Sequence, residues 1–516
     1  MSWYLATPII LPFATAVLAF LFRSTPEGRY ISVAGSFGTL IAAAILMGQV
    51  LDQGVVAAQM GGWPAPFGIT LVADYLGAVM VVITAITGLA VAIYSIGDIT
   101  ERMERLGFHA LFQVLIAGVI GAFLTGDLFN LYVWFEVMLI SSFGLLVLGG
   151  SKQQLDAGIK YVTLNLISTI LFLSGIGLLY GMTGTLNMAD LAGSVDQIQD
   201  QGTLTVIATM FLIGFGVKAA VFPLFFWLPA SYHTPSFAVS AVFAGLLTKV
   251  GVYALIRMFT LVFDTDVAFT HTLLLWIAGF TMVTGVLGAA AQTDFRKILS
   301  FHIVSQIGYM VLGLALFTPL ALVGAVFYLV HHIIVKANLF LIAGVAQRIS
   351  GSTELGAIGG LYKGAPFLAF LFLIPAFSLA GFPPLSGFWA KYVLVKAALE
   401  VEGWVIAGVA LTVGLLTIYS MTKIWGQAFW KPHPDGYVPT LASLPAGQRL
   451  ALLTPITALA AMTVLIGVFP QPFVTFAETS AAQLLEPTLY IETVLGLITP
   501  LDAISSPAMP QPEVTQ

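Results

Sequence analysis

Long runs of apolar residues restrict the fold of this chain more than any other feature. A helix needs about 20 mainly apolar residues to cross a bilayer, where every backbone polar group must be satisfied within the structure. The chain has 516 residues, of which 59% are hydrophobic and only 8% are charged, so an ordinary soluble domain is excluded. We therefore predict an all-α polytopic membrane protein with about 14 transmembrane helices. The predicted spans, numbered in this order, are 3–22, 30–50, 72–97, 108–125, 128–149, 160–180, 204–229, 236–258, 271–291, 298–317, 319–344, 366–399, 404–429 and 451–470.

The basic residues predict the orientation of the chain. No basic residue precedes the first apolar run, so we expect that run to stay as a span rather than to be cleaved. Counting from an external N-terminus places most basic residues in or beside loops on the cytoplasmic side, as the positive-inside rule requires. With an even number of spans, both termini are then expected outside. The cytoplasmic residues are Arg23, Arg29, Arg102, Arg105, Lys152, Lys160, Arg296, Lys297, Arg348, Lys363, Lys423, Lys431 and Arg449.

One acid and six basic side chains lie well away from the ends of predicted spans. An ionised group at the bilayer centre costs about 2.5–3.5 kcal/mol even on the most lenient insertion scale, so such groups indicate an ion or proton path. Arg257 and Lys396 lie nearer span ends, where we expect them to extend their charged heads towards water. The candidate proton-transfer residues are Glu136, Lys218, Lys249, His331, His332, Lys336 and Lys391.

The types of these residues favour proton transfer over fixed charge. Lysine releases its proton when it is desolvated, whereas arginine does not, and histidine titrates near neutral pH. His332 and Lys336 are four residues apart and share a helix face. Structural alternatives stay open, because Glu136 could simply neutralise Lys218, Lys249 could face a polar cavity for packing, and one of the two histidines could have a packing role.

The sequence predicts no cofactor and no metal site. It contains no cysteine, which excludes disulfides, thiolate metal sites and cysteine-held iron–sulfur clusters. The two histidines of span 11 have no third ligand nearby. His109, His233 and His302 are expected in surface or packing roles, with proton entry as an alternative for His233. No nucleic acid partner is expected.

A weak internal repeat predicts how the spans are arranged. Four short matches recur in the same order at offsets of 160–169 residues: 140–149 with 304–313, 184–193 with 351–360, 220–223 with 380–383, and 245–248 with 414–417. The offset holds five spans, an odd number, so spans 9–13 should enter the membrane inverted relative to spans 4–8, as in many transporters.

Prolines should break one span in each repeat. Pro223 follows Lys218 in span 7, and Pro383 and Pro384 precede Lys391 in span 12. Proline removes a backbone donor and clashes with the preceding turn, and broken spans at matching positions indicate the binding site. The predicted organisation is an N-terminal three-helix segment at 1–107, a first repeat at 108–260, a second, inverted repeat at 271–430, a last helix and C-terminal segment at 451–500, and a disordered tail at 501–516.

Several motifs resemble those of the D-type subunits of Mrp-type Na⁺/H⁺ antiporters, in the superfamily shared with the antiporter-like subunits of complex I and membrane-bound hydrogenases. They are GDLFNLYVWFEVMLI at 126–140, VK at 217–218 with VFPL at 221–224, HTPS at 233–236, LTKVGVY at 247–253 and GFPPLSGFWAK at 381–391.

The resemblance implies a proton-translocating subunit of a multi-subunit Na⁺/H⁺ antiporter in the bacterial inner membrane. It implies other antiporter subunits and the lipid bilayer as partners, and protons and Na⁺ as the transported ions. It also implies a polar axis through Glu136, Lys218, Lys249, the span-11 histidines and Lys391. The alternative is a proton-pumping subunit of a quinone-linked NADH dehydrogenase or hydrogenase. Lysine rather than glutamate at position 391, and a chain that ends soon after span 14, favour the antiporter.

Overall fold

Helices form at all the predicted spans in the computed structural model, which describes residues 3–264 and 266–497. Within those residues, twelve helices are long and apolar enough to cross a membrane. The other two predicted spans contain the shorter apolar helices Phe108–Leu124 and Pro366–Ala380. The predicted all-α polytopic fold class is therefore confirmed, while the predicted disordered tail lies outside the described residues.

The N-terminal segment contains three spans and a small β-hairpin that the sequence did not predict. Its two antiparallel strands pair Val56 with Ala73 and lead into the third span, where the side chain of Asp74 accepts a hydrogen bond from Gly77 N at 2.8 Å and caps the helix. The elements of this segment are α1 Trp3–Leu21, α2 Glu27–Gln53, β1 Val56–Gln59, β2 Thr70–Ala73, α3 Tyr75–Asp98 and α4 Glu101–Arg105, and span 4 follows as α5 Phe108–Leu124.

The next spans include the first predicted break. Span 7 stops being helical at Ala220, whose φ of 62° lies in the left-handed region, three residues before Pro223. Span 8 is interrupted by a π-helical turn at Phe243–Leu247, just before Lys249. The elements are α6 Leu128–Val147, α7 Lys152–Thr183, α8 Met188–Val195, α9 Gln201–Ala219, α10 Trp227–Ser231, α11 Phe237–Val242 and α12 Thr248–Leu261.

The remaining spans contain the second predicted break. Span 12 ends its first half at Gly381, where a φ of 96° suits a residue without a Cβ, and resumes at Ser386. Two helices after span 14, α21 and α22, were not predicted. The elements are α13 Val267–Ala291, α14 Phe295–Leu316, α15 Pro319–Ser350, α16 Leu361–Gly364, α17 Pro366–Ala380, α18 Ser386–Glu400, α19 Trp404–Ile424, α20 Ala446–Val468, α21 Gln471–Leu485 and α22 Thr488–Leu495.

The helices that carry Lys249 and the three span-11 candidates, together with α14, form the centre of the bundle. All residues of α12 are buried. In the apolar 18-residue stretches of α14 and α15, 94% and 89% of the residues are buried. In the corresponding stretches of α2 and α7, only 33% and 39% are buried. Titratable groups on α12 and α15 are therefore enclosed by protein rather than facing lipid.

One end of the bundle gathers the hairpin, α8 and α22, and we call this end the hairpin side. Helix α22 packs against both α8 and β1, and Gln59 Nε2 donates a hydrogen bond to Val494 O at 2.9 Å. Arg257 lies towards this end. Our expectation that Arg257 extends to water is wrong, because its guanidinium is buried and donates to the Asp74 carboxylate at 2.6 Å. Lys396, by contrast, has a half-exposed side chain near Glu400.

The opposite end holds a second buried ion cluster, on the α4 segment between spans 3 and 4. Glu104 contacts Arg29 at 2.9 Å and His109 at 3.4 Å, so the packing role expected for His109 includes a polar partner. Burial opposes ionisation of Glu104, but the hydrogen bond with His109 and the charge of Arg29 outweigh it and hold the pKa of this carboxyl below its ordinary value.

Candidate ion-transfer site

A threonine bridges the acid and the lysine of the first predicted repeat. Thr169 on α7 donates a hydrogen bond from its hydroxyl to Glu136 Oε1 on α6 at 2.8 Å. The same hydroxyl accepts from Lys218 Nζ on α9 at 3.4 Å. The Lys218 ammonium also lies 5.4 Å from the centre of the Phe135 ring. The acid and the lysine are thus brought together, but through a hydroxyl rather than by direct contact.

The break in span 7 places Lys218 against span 8. Lys218 is the second-last residue of α9, and Trp227, beyond the break, donates from its indole N–H to Val217 O at 3.0 Å. Helix α12 approaches closely here, since a Cβ at Gly251 would lie 2.5 Å from Ala219 N. A cavity of about 20 Å³ borders Lys218 and Leu247, and this is enough space for one water molecule.

Lys249 lies at the start of α12, directly after the π-helical turn, and is completely buried. Its ammonium donates to the carbonyl oxygen of Ala244, which belongs to that turn. Single π turns inside α-helices are frequent at functional sites. The turn therefore supplies an acceptor for a buried cation that would otherwise lack a partner.

The span-11 residues continue the row of buried groups. Lys336 Nζ donates to Leu299 O on α14 at 3.2 Å. His332 is close enough to Lys249 and Lys336 for their charges to interact with it. Within the part of the chain that the structure describes, both ring nitrogens of His332 lack a hydrogen-bond partner. A buried polar group without a partner is costly, so we expect water molecules to bind there.

The second break holds Lys391. Its ammonium donates at 3.2 Å to the carbonyl oxygen of Ala380, which the break frees, and lies 4.9 Å from the centre of the Tyr309 ring. His331 Nδ1 lies 2.8 Å from Ser386 Oγ at the start of α18. Lys391 therefore faces the protein interior, and the break contributes hydrogen-bond partners to both groups.

Span 10 contributes side chains that the sequence analysis assigned to packing or did not consider. His302 is fully buried, and the charges of Lys336 and Lys391 reach it. Gln306, one turn further along, accepts a hydrogen bond from the Tyr328 hydroxyl. The signal was present in the sequence, because His302, Gln306 and Tyr309 recur at spacings of four and three and so share one helix face.

Together these groups form a row of acid, hydroxyl, lysine and histidine side chains that extends from α6 to α18, and all of them except the partly exposed Glu136 are buried. A helical membrane protein with such a row, and with two broken spans beside it, belongs to the class of ion-translocating membrane proteins. Residues 125–417 match the family model described as NADH:quinone oxidoreductase/Mrp antiporter, TM. The chain belongs to this family, which confirms the predicted superfamily.

Relatives and solved structures resemble the chain along nearly its whole length. It is 49% identical to the D-type subunit of a Na⁺/H⁺ antiporter of Alkalihalophilus pseudofirmus, covering 95% of this chain and 98% of the relative. A chain of the Mrp complex from Dietzia sp. DQ12-45-1b matches with a TM-score of 0.88 at 35% identity, covering 96% and 100%. A chain of respiratory complex I from Thermus thermophilus matches with a TM-score of 0.79 at 26% identity, covering 93% and 99%.

Proposed function

We propose that this chain is the proton-translocating subunit of a multi-subunit antiporter that exchanges Na⁺ or another monovalent cation for protons. The observation that carries the proposal is the Glu136–Thr169–Lys218 bridge at a broken membrane helix. The match to an antiporter subunit of the D type over almost the whole of both chains supports it. The protein is then a secondary transporter subunit rather than an enzyme.

The proposed path runs laterally through the centre of the bundle. Glu136 and Lys218 exchange a proton through the Thr169 hydroxyl, and the proton passes by way of water to Lys249. From there it moves through His332 and Lys336 to Lys391, with His331 beside it. Neutral lysines and histidines and intervening water keep the cost of the buried charges low. The described contacts between α12, α14, α15 and α18 support this order.

The predicted inverted repeats explain why the path has two broken helices. In this proposal 108–260 and 271–430 are the two repeats, each of which contributes one break, at Pro223 and at Pro383–Pro384. Each break leaves a lysine beside freed backbone groups, as the bond from Lys391 to Ala380 O illustrates. The two repeats would meet where Lys249 approaches His332.

We further propose that the chain works in the inner membrane of a bacterium, with other subunits of an Mrp-type complex as partners. Both termini and the hairpin side lie outside in this proposal. The excess of basic residues in the opposite loops supports the orientation. Because partner subunits complete the antiporter, this chain alone should not transport.

Alanine substitution tests the proposed pair. Glu136→Ala and Lys218→Ala should each abolish Na⁺-dependent proton movement in vesicles that contain the assembled complex, as measured by a fluorescent ΔpH probe. Lys396→Ala is the matched control, because it removes a half-exposed lysine at a span end and should leave antiport unchanged. Normal antiport in either test variant, with normal assembly, would contradict the proposal.

The similarity to a chain of complex I favours a second candidate, a proton-pumping subunit of a quinone-linked NADH dehydrogenase or hydrogenase. Purification of the native complex separates the two. Small membrane subunits without redox centres would support the antiporter, whereas bound flavin and iron–sulfur proteins would support the second candidate.

A further inference from the structure

The ion pair between Asp74 and Arg257 is a buried charge pair that the proposed relay does not use. It joins α3 to α12 with an N–O distance of 2.6 Å, and 3% of the Asp74 side chain and 6% of the Arg257 side chain are exposed. Asp74 is fixed in place because it also caps α3 through Gly77 N. The pair therefore lies at a defined position at the hairpin-side end of span 8.

The pair shares a helix face with the central relay lysine. Lys249, Tyr253 and Arg257 are spaced by four residues, so they follow one face of α12 towards the hairpin side. Eight residues of helix place Arg257 about 12 Å along the axis from Lys249. Any proton that left Lys249 along this face would meet Tyr253 first and then the guanidinium.

Aromatic rings and close backbone packing surround the pair. The Arg257 guanidinium carbon lies 5.5 Å from the centre of the Tyr253 ring and 5.0 Å from that of Tyr490 on α22. Tyr253 donates its hydroxyl to Phe123 O on α5 at 3.0 Å. A Cβ at Gly77 would lie 2.9 Å from that same carbonyl oxygen. Spans 3, 4 and 8 thus meet here at van der Waals distance.

The chemistry of arginine determines what such a cluster can do. A proton relay needs groups that both accept and release a proton, and the guanidinium keeps its proton throughout the physiological range. A fixed positive charge in a narrow passage excludes protons and cations, as it does in membrane channels. Span 8 thus has lysine where the proposed relay needs transfer, and arginine where the helix approaches the surface.

We propose that the Asp74–Arg257 pair, enclosed by Tyr253 and Tyr490, seals the hairpin-side end of span 8 against protons from Lys249. The inference rests on the proposed function, because a seal is needed only if Lys249 carries protons. With the seal, protons on Lys249 move only along the lateral path, which keeps proton movement coupled to cation movement. Without it, Lys249 gains a direct route to the hairpin side.

A neutral pair tests the seal without leaving a buried charge unpaired. In vesicles that contain the assembled complex and no Na⁺, Asp74→Asn/Arg257→Gln should accelerate the decay of an imposed ΔpH. Repulsion between two unit charges about 12 Å apart, at an effective dielectric constant of about 20, corresponds to a factor of roughly ten. Asp74 lies beside the guanidinium and offsets most of that charge, so we expect a smaller acceleration, of up to about twofold. Lys396→Gln/Glu400→Gln neutralises an exposed pair and is the matched control.

A third change identifies the route of the leak. If Lys249→Leu in the Asp74→Asn/Arg257→Gln background returns ΔpH decay to the wild-type rate, the leak passes through Lys249 and the proposal stands. Persistence of the leak would mean that the double variant only loosened the packing, which overturns the proposal. An unchanged decay rate in a fully assembled double variant also overturns it.

If the double variant does not assemble, the single variant Arg257→Lys tests whether the pair acts as a seal. It keeps the charge pair but introduces a group that can release its proton, so faster decay supports the seal and wild-type decay refutes it. The readout is passive leak in the absence of Na⁺, whereas the proposed function is tested by Na⁺-dependent antiport in the Glu136 and Lys218 variants. The proposed seal and the proposed function are therefore refuted by different assays.

Discussion

Substituting Gly251 by alanine should separate the two lysines of the first repeat. Gly251 packs against the end of α9, where a new Cβ would lie 2.5 Å from Ala219 N and 2.8 Å from the Lys218 carbonyl carbon. Ordinary van der Waals contact begins at 3.4 Å, so α9 and α12 must move apart by about 0.9 Å. Both nearest atoms are backbone, and no flexible side chain can move aside to absorb the overlap.

That displacement acts on the weakest contact of the relay. The hydrogen bond from Lys218 Nζ on α9 to the Thr169 hydroxyl on α7 is 3.4 Å long, close to the limit of hydrogen-bond distance, so a small shift of α9 relative to α7 is enough to break it. Overpacking of this kind costs about 1–3 kcal/mol, and each 1.4 kcal/mol added to the barrier of a rate-limiting transfer slows it about tenfold. We expect Na⁺-dependent antiport to fall about tenfold or more.

The assay compares Gly251→Ala with Gly181→Ala in vesicles that contain equal amounts of assembled complex. Gly181 lies on α7 and has no neighbouring atom within 4 Å of a built Cβ among the described residues, so alanine there should leave both antiport and assembly at the wild-type level. Wild-type antiport in an assembled Gly251→Ala complex would refute the reasoning, because it would show that the close approach of α9 and α12 has no role in transfer.

Substitutions at three further positions test individual polar side chains. Thr169→Val should lower antiport because it removes the bridging hydroxyl, whereas Thr169→Ser should retain it; equal rates in the two would contradict a bridging role. Ser386→Ala removes the 2.8 Å contact with His331 and should slow antiport without lowering the yield of the complex. Glu104→Gln should destabilise the protein at neutral pH. The ionised Glu104 carboxylate pairs with Arg29, and the lowered pKa of Glu104 shows that this pairing stabilises the folded protein. This contribution is present above the ordinary carboxyl pKa and is lost as the pH falls through the lowered one, so the thermal midpoints of wild type and variant should converge once the pH is below the lowered pKa.

Much of the architecture followed from the sequence because the bilayer imposes simple rules. The length of an apolar run fixes a span, and prolines beside lysines marked the two breaks, where the structure places Ala220 and Gly381 in the left-handed region. The small β-hairpin escaped prediction because its strands have only four residues each. Helices α21 and α22 escaped because they are too short to register as spans.

The contacts between residues that are distant in the chain could not be predicted from the sequence. Asp74 precedes Arg257 by 183 residues, and no periodicity relates two positions on different helices. Thr169 is one of several polar residues of span 6, and nothing in the sequence indicates that its hydroxyl lies between an acid and a lysine. His302 was assigned to packing because the single residue was considered rather than the face that it shares with Gln306.

The Asp74–Arg257 pair also bears on how the chain is made. Ribosomes add about 5–20 residues per second, so Asp74 enters the membrane about 10–40 s before its partner is synthesised. Asp74 lies at the very start of α3, where the carboxylate can stay hydrated at the membrane surface during that interval. The N-terminal helices therefore have to wait for span 8 before they can close against the rest of the bundle. A nascent chain that stops before residue 257 lacks the cation that completes this part of the fold.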